Sequence, residues 1–286
     1  MRQFTKRNLT LYFRDKASVF FSLLAVMITF LLYIFVFRNL YGVNFLSEIS
    51  DIREITDVWA ICGILAAPTV TTPLGALWVL VDDRKRKLSR DFYASPVARW
   101  KMTGGYLMSS FLIGIIMTCA LLLVMQIYLL IMGGSLFSLQ QYLMILGVIA
   151  ISTFSGAGLV LFFVSFFQSD HAYTGCSIVM GTLMGFVCGN YIPMGLLPEA
   201  VQTVIKFFPV AHTSVLLRQI IVKEPMQNIF DEFGMTDMSW FSQFMGIEFQ
   251  FGDYVAKPWV HAAVLIVTGV VFYALAIASL SRKRKK

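Results

Sequence analysis

Residues 102–169 contain no Asp, Glu, Lys or Arg, and this uncharged run limits the fold of the chain more than any other feature. A helix needs about 20 apolar residues to cross the hydrocarbon core of a bilayer, so the run is far too long for one crossing. It must therefore turn back on itself. Gly133-Gly134-Ser135 and the polar residues after it place the turn near the middle. They predict two membrane-spanning helices, at 103–132 and 142–167.

Other uncharged stretches predict the remaining spans, at 19–37, 58–81, 172–189 and 258–280. The composition agrees, because 58% of the 286 residues are hydrophobic and 14% are charged, whereas soluble domains carry about 25% charged residues. Residues 1–16 are polar and basic and no small-residue cleavage site follows, so we expect the first span to stay in the protein. The predicted fold is an all-α polytopic membrane protein, a single domain with six transmembrane helices.

The segment between the last two spans is different in kind. Residues 190–212 are apolar but contain Pro193, Pro198 and Pro209. Proline interrupts a helix because it lacks an N–H and clashes with the preceding turn. Irregular backbone at membrane depth must be sheltered by protein or water, so this segment predicts short re-entrant or surface-lying helices. Residues 213–257 carry mixed charge and several aromatic side chains, which predicts a long polar extracellular loop.

The distribution of basic residues predicts the orientation. Most of the 23 basic residues lie on one side of the membrane if both termini are cytoplasmic, in residues 2–16, 84–101 and 282–286. An excess of Lys and Arg in cytoplasmic segments is the established determinant of orientation, and six spans return the chain to its starting side. We therefore expect cytoplasmic termini in a plasma membrane. The net charge of +7 is explained by these flanks, so no nucleic-acid partner is expected.

The absence of certain motifs from the sequence argues against several classes of function. It contains no Gly-x-x-x-x-Gly-Lys-Ser/Thr phosphate-binding motif, so we expect no catalytic or cofactor-binding residues and no ATP hydrolysis by this chain. The spans lack the charges that mark an ion path, which disfavours a secondary carrier. No cluster of Asp, His, Ser and Cys converges at one depth, which disfavours an integral membrane enzyme.

The cysteines and histidines have simple interpretations. Each cysteine lies in an apolar stretch without a CxxC pair, which predicts small buried hydrophobic side chains and neither disulfides nor metal ligands. We expect each histidine to be a local hydrogen-bonding or interfacial residue. The residues are Cys62, Cys119, Cys176, Cys188, His171, His212 and His261.

Two patterns carry a resemblance to a known family. Residues 88–99 read Leu-Ser-Arg-Asp-Phe-Tyr-Ala-Ser-Pro-Val-Ala-Arg, and Gly104-Gly105-Tyr106-Leu107 follow. This pattern resembles the permease subunits of type 2 ATP-binding cassette (ABC-2) exporters, whose ATPase is usually a separate chain. The resemblance implies that 83–101 form a coupling helix region that docks on the ATPase through Leu88, Asp91, Phe92, Tyr93, Ser95, Pro96, Val97 and Arg99. The run 82–87 departs from the family, which usually begins this region with an acidic-basic-acidic run and a glycine.

The second pattern is more specific and covers residues 189–199, then 208–212 and Leu217-Arg218. It is similar to the family signature after the fifth span, and this implies re-entrant helices that help to close the export path. The residues to which this role is carried over are Pro193, Leu197, Pro198 and Pro209. Residues 1–17 resemble the amphipathic elbow helix of these permeases, which lies along the inner leaflet.

Small residues recur at four-residue spacing along the fifth span, at Ser177, Gly181, Gly185 and Gly189. This spacing places them on one helical face, which permits close helix packing. The sequence leaves open whether that packing is within the subunit or across a dimer.

The resemblance implies a transmembrane permease subunit of an ATP-driven exporter, a component of the bacterial cell membrane. Its expected partners are a second permease (as a homo- or heterodimer), ABC ATPase subunits that hold ATP and Mg, and membrane lipid. The low charge favours a path lined by spans one, two and five and an amphiphilic or hydrophobic cargo. Such a cargo could be a drug, an antimicrobial peptide or a lipid-like molecule. Export of a drug would make the protein a component of multidrug resistance. Export of a polysaccharide or glycolipid is the alternative, and a non-transporting membrane scaffold or sensor is an alternative of another class.

Overall fold

A computed structural model describes residues 1–38, 52–88, 98–232 and 239–282. Helices dominate, and one short hairpin pairs Gln250 with Val255 and Phe251 with Tyr254. In chain order the elements are α1 (Arg2–Arg14), α2 (Lys16–Leu32, continued by a π-helical turn at Tyr33–Phe37), α3 (Ile52–Ala66), α4 (Pro68–Ala76), α5 (Trp78–Lys85), α6 (Arg99–Ile131), α7 (Leu139–Val164), α8 (Asp170–Val187), a 3-10 turn (Met194–Leu196), α9 (Glu199–Phe207), α10 (Pro209–Ile221), α11 (Lys223–Glu232), α12 (Ser239–Phe244), β1 (Gln250–Phe251), β2 (Tyr254–Val255) and α13 (Pro258–Arg282).

Helices that can cross a membrane account for most of the structure. Five helical segments of the described residues are long and apolar enough, namely Lys16–Phe37, Ile55–Lys85, Arg99–Ile131, Leu139–Val164 and Pro258–Leu280. A sixth is obtained if α9 and α10, which are bent by 92°, count as one span. The predicted all-α polytopic architecture is thereby confirmed.

The predicted fifth span, 172–189, corresponds to helix α8. This helix is not among the five segments because Asp170 and His171 occupy its first turn and several Gly, Ser and Thr residues reduce its apolar character. That α8 crosses the bilayer stays a prediction.

The turn in the long uncharged run lies where the sequence predicts it. Gly133 adopts a φ of +90°, a conformation that glycine reaches without steric cost. Ser138 then starts α7 with a capping box, in which its side chain accepts a hydrogen bond from the Gln141 backbone N–H and the Gln141 side chain accepts one from the Ser138 N–H. These contacts fix the reversal between α6 and α7.

The segment α3–α5 runs through the centre of the bundle. Trp59 and Leu65 are among its fully buried side chains. Pro68 begins α4 and Pro73 lies inside it, which divides the span into short helices. A Cβ at Gly156 of α7 would overlap the carbonyl oxygen of Thr69, so α7 lies directly against the backbone of α4. The core is formed where α3 and α4 meet α6, α7 and α10.

Helix α1 and the last turns of α13 lie at the same end of the bundle, which we call the basal end. Helix α1 packs on the start of α6, where Asn8 donates a hydrogen bond to Ser109 over 3.3 Å. Near the end of α13, the Ser279 hydroxyl is 2.8 Å from that of Ser165, just after α7. The side of the membrane on which this end lies stays a prediction. The opposite end, where α6 turns into α7, is called the distal end.

The structure corrects the prediction of a polar loop over 213–257. Residues 213–221 belong to α10 and most are buried. The prediction was wrong because the polar side chains there have partners inside the bundle. Thr213 donates a hydrogen bond to Ser152 over 2.9 Å, and Ser214 donates one to the Ala211 carbonyl over 2.8 Å. The rest of the predicted loop, as far as it is described, forms α11, α12 and the hairpin.

Candidate functional site

A groove of about 760 Å³ lies between α2, α3–α5 and α8. These helices correspond to the first, second and fifth predicted spans, which were expected to line a path. The walls are mostly apolar, with hydroxyl groups between the apolar side chains. Asp15 is the charged residue of the lining and lies at the basal end, where α1 meets α2. Other lining residues include Phe21, Ser22, Val26, Thr29, Ile64, Ala67, Thr71, Leu74, Trp78, Tyr173, Ser177, Gly181 and Met184.

The groove is open partly because α8 presents small residues to it. A Cβ at Gly181 would meet no atom within 4 Å. A Cβ at Gly185 would overlap the Tyr191 ring, so this glycine makes room for an aromatic side chain. Gly189 lies beyond the end of α8 with a φ of +66° and ends that helix. Within the described part of the chain, the Gly185 and Gly189 positions lie close to side chains of Tyr191 and Arg218, whereas Gly181 faces open space. Their contact with a second permease stays a prediction.

A buried carboxylate at the basal end joins three elements. Asp83 of α5 is 1% exposed. It accepts hydrogen bonds from Arg7 of α1 over 2.6 and 3.0 Å and from the Tyr106 hydroxyl of α6 over 2.6 Å. The bond to Asp83 raises the pKa of the Arg7 guanidinium. We call Arg7, Asp83 and Tyr106 the Asp83 cluster.

Arg84 and Lys85, the next two residues of α5, contact two further helices, α7 and α8. Arg84 donates hydrogen bonds to the carbonyls of Phe167, over 2.6 Å, and Val164, over 3.3 Å, at the end of α7. Lys85 forms an ion pair with Asp170 in the first turn of α8. The charged run that departs from the family pattern therefore binds α5 to α1, α6, α7 and α8. Sequence reasoning missed these roles, although two acidic residues followed by four basic residues at the end of an apolar span were a visible signal.

Two of the predicted ATPase-coupling residues lie at the ends of the segment between α5 and α6, and the others lie outside the described residues. Leu88 follows α5 and is half-buried, and Arg99 is half-buried in the first turn of α6. The Tyr106–Asp83 hydrogen bond joins the helices on either side of the segment. Asp91, Phe92, Tyr93, Ser95, Pro96 and Val97 lie outside the described residues. Their docking role stays a prediction.

Arg218 of α10 holds the distal part of the bundle together. It is 3% exposed and donates hydrogen bonds to the carbonyls of Cys188 and Gly189, each over 3.0 Å, and of Gly246, over 3.2 Å. Its guanidinium lies 4.5 Å from the centre of the Trp59 ring, a cation–π contact. Arg218 thus joins α10 to α3, to the end of α8 and to the loop after α12. Arg218 is a single cation within an apolar stretch, and this pattern could have indicated its buried role from the sequence.

The four predicted gate residues mark the ends of short helices near Arg218. Pro193 and Leu197 flank the 3-10 turn, Pro198 precedes α9, and Pro209 is the first residue of α10. Proline suits these positions because its fixed φ starts a helix and its missing N–H has no partner there in any case. The broken geometry predicted from the prolines is present. A gating role stays a prediction.

Two of the histidines contact each other. The Nδ1 atoms of His212 and His261 are 2.7 Å apart, and His212 Nε2 is 2.9 Å from the Lys206 carbonyl oxygen, which agrees with the predicted hydrogen-bonding role. Cys62 and Cys188 are buried as predicted, whereas Cys119 and Cys176 are only partly buried because they lie on partly exposed faces of α6 and α8. Among the described residues, no group of three or more His, Cys, Asp or Glu side chains could hold a metal ion.

Comparison with known proteins assigns the family. The model of a family described as "ABC-2 family transporter protein" matches residues 54–278, which is most of the chain. The match includes the groove walls from α3, α4 and α8, together with Asp83, Tyr106 and Arg218. No curated protein matches the chain. With its bundle of apolar helices, the chain therefore belongs to the ABC-2 transporter family and is a multi-pass membrane permease component of an ABC transporter.

Proposed function

We propose that this chain pairs with a second permease and with two cassette ATPase chains, and that the complex exports an amphiphilic or hydrophobic cargo. The observation that carries the proposal is the groove between α2, α3–α5 and α8. It lies on the surface of one subunit, so a second subunit placed against it would complete a path. ATP and Mg are bound by the ATPase partner in this scheme.

The groove lining supports the cargo class. Phe21, Val26, Ile64 and Met184 supply apolar contacts, and methionine adapts its shape to different ligands. The hydroxyl oxygen of Thr71, which donates its own hydrogen to the Ala67 carbonyl, would accept a hydrogen bond from the polar end of an amphiphile. A drug, an antimicrobial peptide or a lipid-like molecule fits this combination. A polysaccharide is the second candidate, because several lining hydroxyls, including those of Thr29, Thr71 and Ser177, already donate hydrogen bonds to helix carbonyls and are less able to replace the water that a sugar loses.

The Asp83 cluster supports a route for energy coupling. Closure of the ATPases would push on the segment between α5 and α6, which contains the predicted contacts Leu88, Asp91–Val97 and Arg99. The motion would pass through Asp83 to α1 and through Lys85 to α8. Helix α8 is a wall of the groove, and α1 continues into α2, which is another.

The charge of the basal end supports its placement in the cytoplasm. Basic residues of α1 and of the α5 and α6 ends lie there, including Lys6, Arg14, Arg84, Arg86 and Lys101. Cytoplasmic segments of membrane proteins carry such an excess of Lys and Arg. The proposed location is the plasma membrane of a bacterium, with both termini inside.

The test is transport by a reconstituted complex with a narrowed groove. The permease is co-purified with its cassette ATPase and placed in proteoliposomes with a fluorescent amphiphile as cargo. Gly181→Phe adds a ring where the groove has open space and is expected to reduce transport several-fold. Gly175→Phe is the matched control, because this glycine also has open space around it but does not line the groove. Equal transport by the two variants would contradict the proposed path.

A second measurement separates a transporter from a scaffold or sensor. Deletion of residues 92–96 is expected to abolish vanadate-sensitive ATP hydrolysis by the complex. Hydrolysis that continues unchanged would overturn the proposed coupling. A permease that does not co-purify with an ATPase would favour the scaffold.

A further inference from the structure

A second cavity, of about 380 Å³, lies on the other side of α8. Its walls come from α7, α8 and α13, with Val70 of α4 at its base and the α9–α10 turn at one end. We call it the lateral slot. It shares one lining residue, Met184, with the groove and is otherwise separate from it.

The chemistry of the lateral slot favours an apolar occupant. Its lining contains no Asp, Glu, Lys, Arg or His. The polar groups are hydroxyls, and two of these, on Ser152 and Thr213, are already bonded to each other over 2.9 Å. Ser155 and Thr268 supply the other two hydroxyls, and every other side chain of the lining is apolar.

The shape and position of the slot favour a chain-like occupant. Along α7 the lining extends from Ser152 to Phe163, which corresponds to about 16 Å at 1.5 Å per residue. The slot therefore runs parallel to the spans, which is the direction of lipid acyl chains in a bilayer. Two of its lining residues, Phe163 and Phe207, are 43% and 77% exposed, so the slot opens on the outer surface of the bundle. In a membrane protein that surface contacts lipid.

We propose that the lateral slot binds an acyl chain of a membrane lipid. The bound chain fills the space behind α8, whose buried residues are few, namely Tyr173, Met184, Gly185 and Val187. Met184 is the side chain that the slot and the groove share, so the bound lipid supports the groove wall from behind. The site does not depend on the identity of any exported cargo.

The experiment is acyl-chain photolabelling of the full-length protein. The protein is placed in nanodiscs of phosphatidylethanolamine and phosphatidylglycerol with a trace of a phospholipid that carries a diazirine within one acyl chain. Labelled positions are identified by mass spectrometry. Label is expected to concentrate on Leu159 and Met180 in the slot, above the level on Val267 and Val270, which face outward from α13.

A filled slot provides the decisive comparison. Thr268→Phe places a ring in the slot and should reduce the labelling of Leu159 and Met180 by roughly tenfold, because excluding even a few methylene groups removes that much affinity. Val267→Phe, on the exposed face one residue away, is the matched control and should leave the labelling unchanged. Thr268→Met places a smaller side chain in the slot and should give a partial loss of labelling at Leu159 and Met180. It serves as the test variant if Thr268→Phe does not fold. Labelling that is unchanged in the Thr268 variants, or equal at slot and outward-facing positions, would overturn the proposal.

Discussion

Asp83 illustrates how much one buried side chain can do in a protein with few charges. Its side chain is 2% exposed, whereas that of Arg7 is 31% exposed, so the pair is only partly open to water. A buried charge that loses its partner is costly, because the remaining group is neither solvated nor paired. The nearby pair Asp82–Arg86 has a more exposed cation, at 64%, and makes a useful comparison.

We expect Asp83→Asn to lower the free energy of unfolding by about 1–3 kcal/mol, because it removes the charge that Arg7 and Tyr106 bind. Reversible unfolding in mixed micelles measures this. A double-mutant cycle with Arg7→Gln should give a coupling energy of about 1–2 kcal/mol. The same cycle on Asp82 and Arg86 is the control and should give less than about 0.5 kcal/mol. Equal couplings for the two pairs would show that the Asp83 cluster has no special role.

Arg218 depends on geometry as well as charge. Its planar guanidinium reaches three carbonyl oxygens and lies over Trp59, which a lysine ammonium cannot do at the same time. We expect Arg218→Lys to lower the free energy of unfolding by about 2–4 kcal/mol because buried carbonyls lose their donors. Lys223→Arg, at an exposed position in the same region, should change it by less than about 0.5 kcal/mol. Similar small effects for both variants would mean that the charge alone is sufficient.

At the scale of helices, the sequence predicts what local composition determines. The uncharged runs give the long spans, and Gly133 and Ser138 give the turn between α6 and α7, because these depend on neighbouring residues. Helix α10 could not be predicted in the same way. Arg218 and Thr213 resemble surface residues until their partners, many residues away in the chain, are known.

The environment of each glycine in α8 could not be predicted from the sequence either, because four-residue spacing does not reveal which residues each one faces. We expect Gly185→Ala to lower the free energy of unfolding by about 1–3 kcal/mol, since a Cβ there would displace the Tyr191 ring. Gly181→Ala, one turn earlier in open space, should change it by less than about 0.5 kcal/mol. Unfolding in mixed micelles again provides the measurement. Equal effects at the two positions would contradict the assignment of Gly185 as a site of close contact.

At the scale of the whole molecule, the groove and the Asp83 cluster belong to one connected structure. Helix α1 continues through Asp15 into α2, and Asp15 starts α2 by accepting a hydrogen bond from the Ser18 N–H. In the proposed coupling, a displacement of α5 would therefore reach two groove walls, α2 through Arg7 and α8 through Lys85. The sequence predicted the first, second and fifth spans as the lining of a path, and these helices line the groove, whereas the coupling role of residues 83–101 stays a prediction. It did not predict the ion pairs that join them, because those pairs link residues that are distant in the chain.

This connection predicts a separation of ATP hydrolysis from transport. In proteoliposomes that contain the permease and its ATPase, Arg7→Gln should leave hydrolysis largely intact, because Arg7 is on α1 and not in the predicted ATPase contact. Cargo transported per ATP should fall by roughly fivefold or more, the scale of a typical coupling free energy between sites. Lys6→Gln is the matched control, since it removes a neighbouring exposed charge outside the Asp83 cluster. A parallel loss of hydrolysis and transport would mean that Arg7 supports folding or assembly, and an unchanged ratio would mean that force reaches the groove by another route, such as Lys85 and α8.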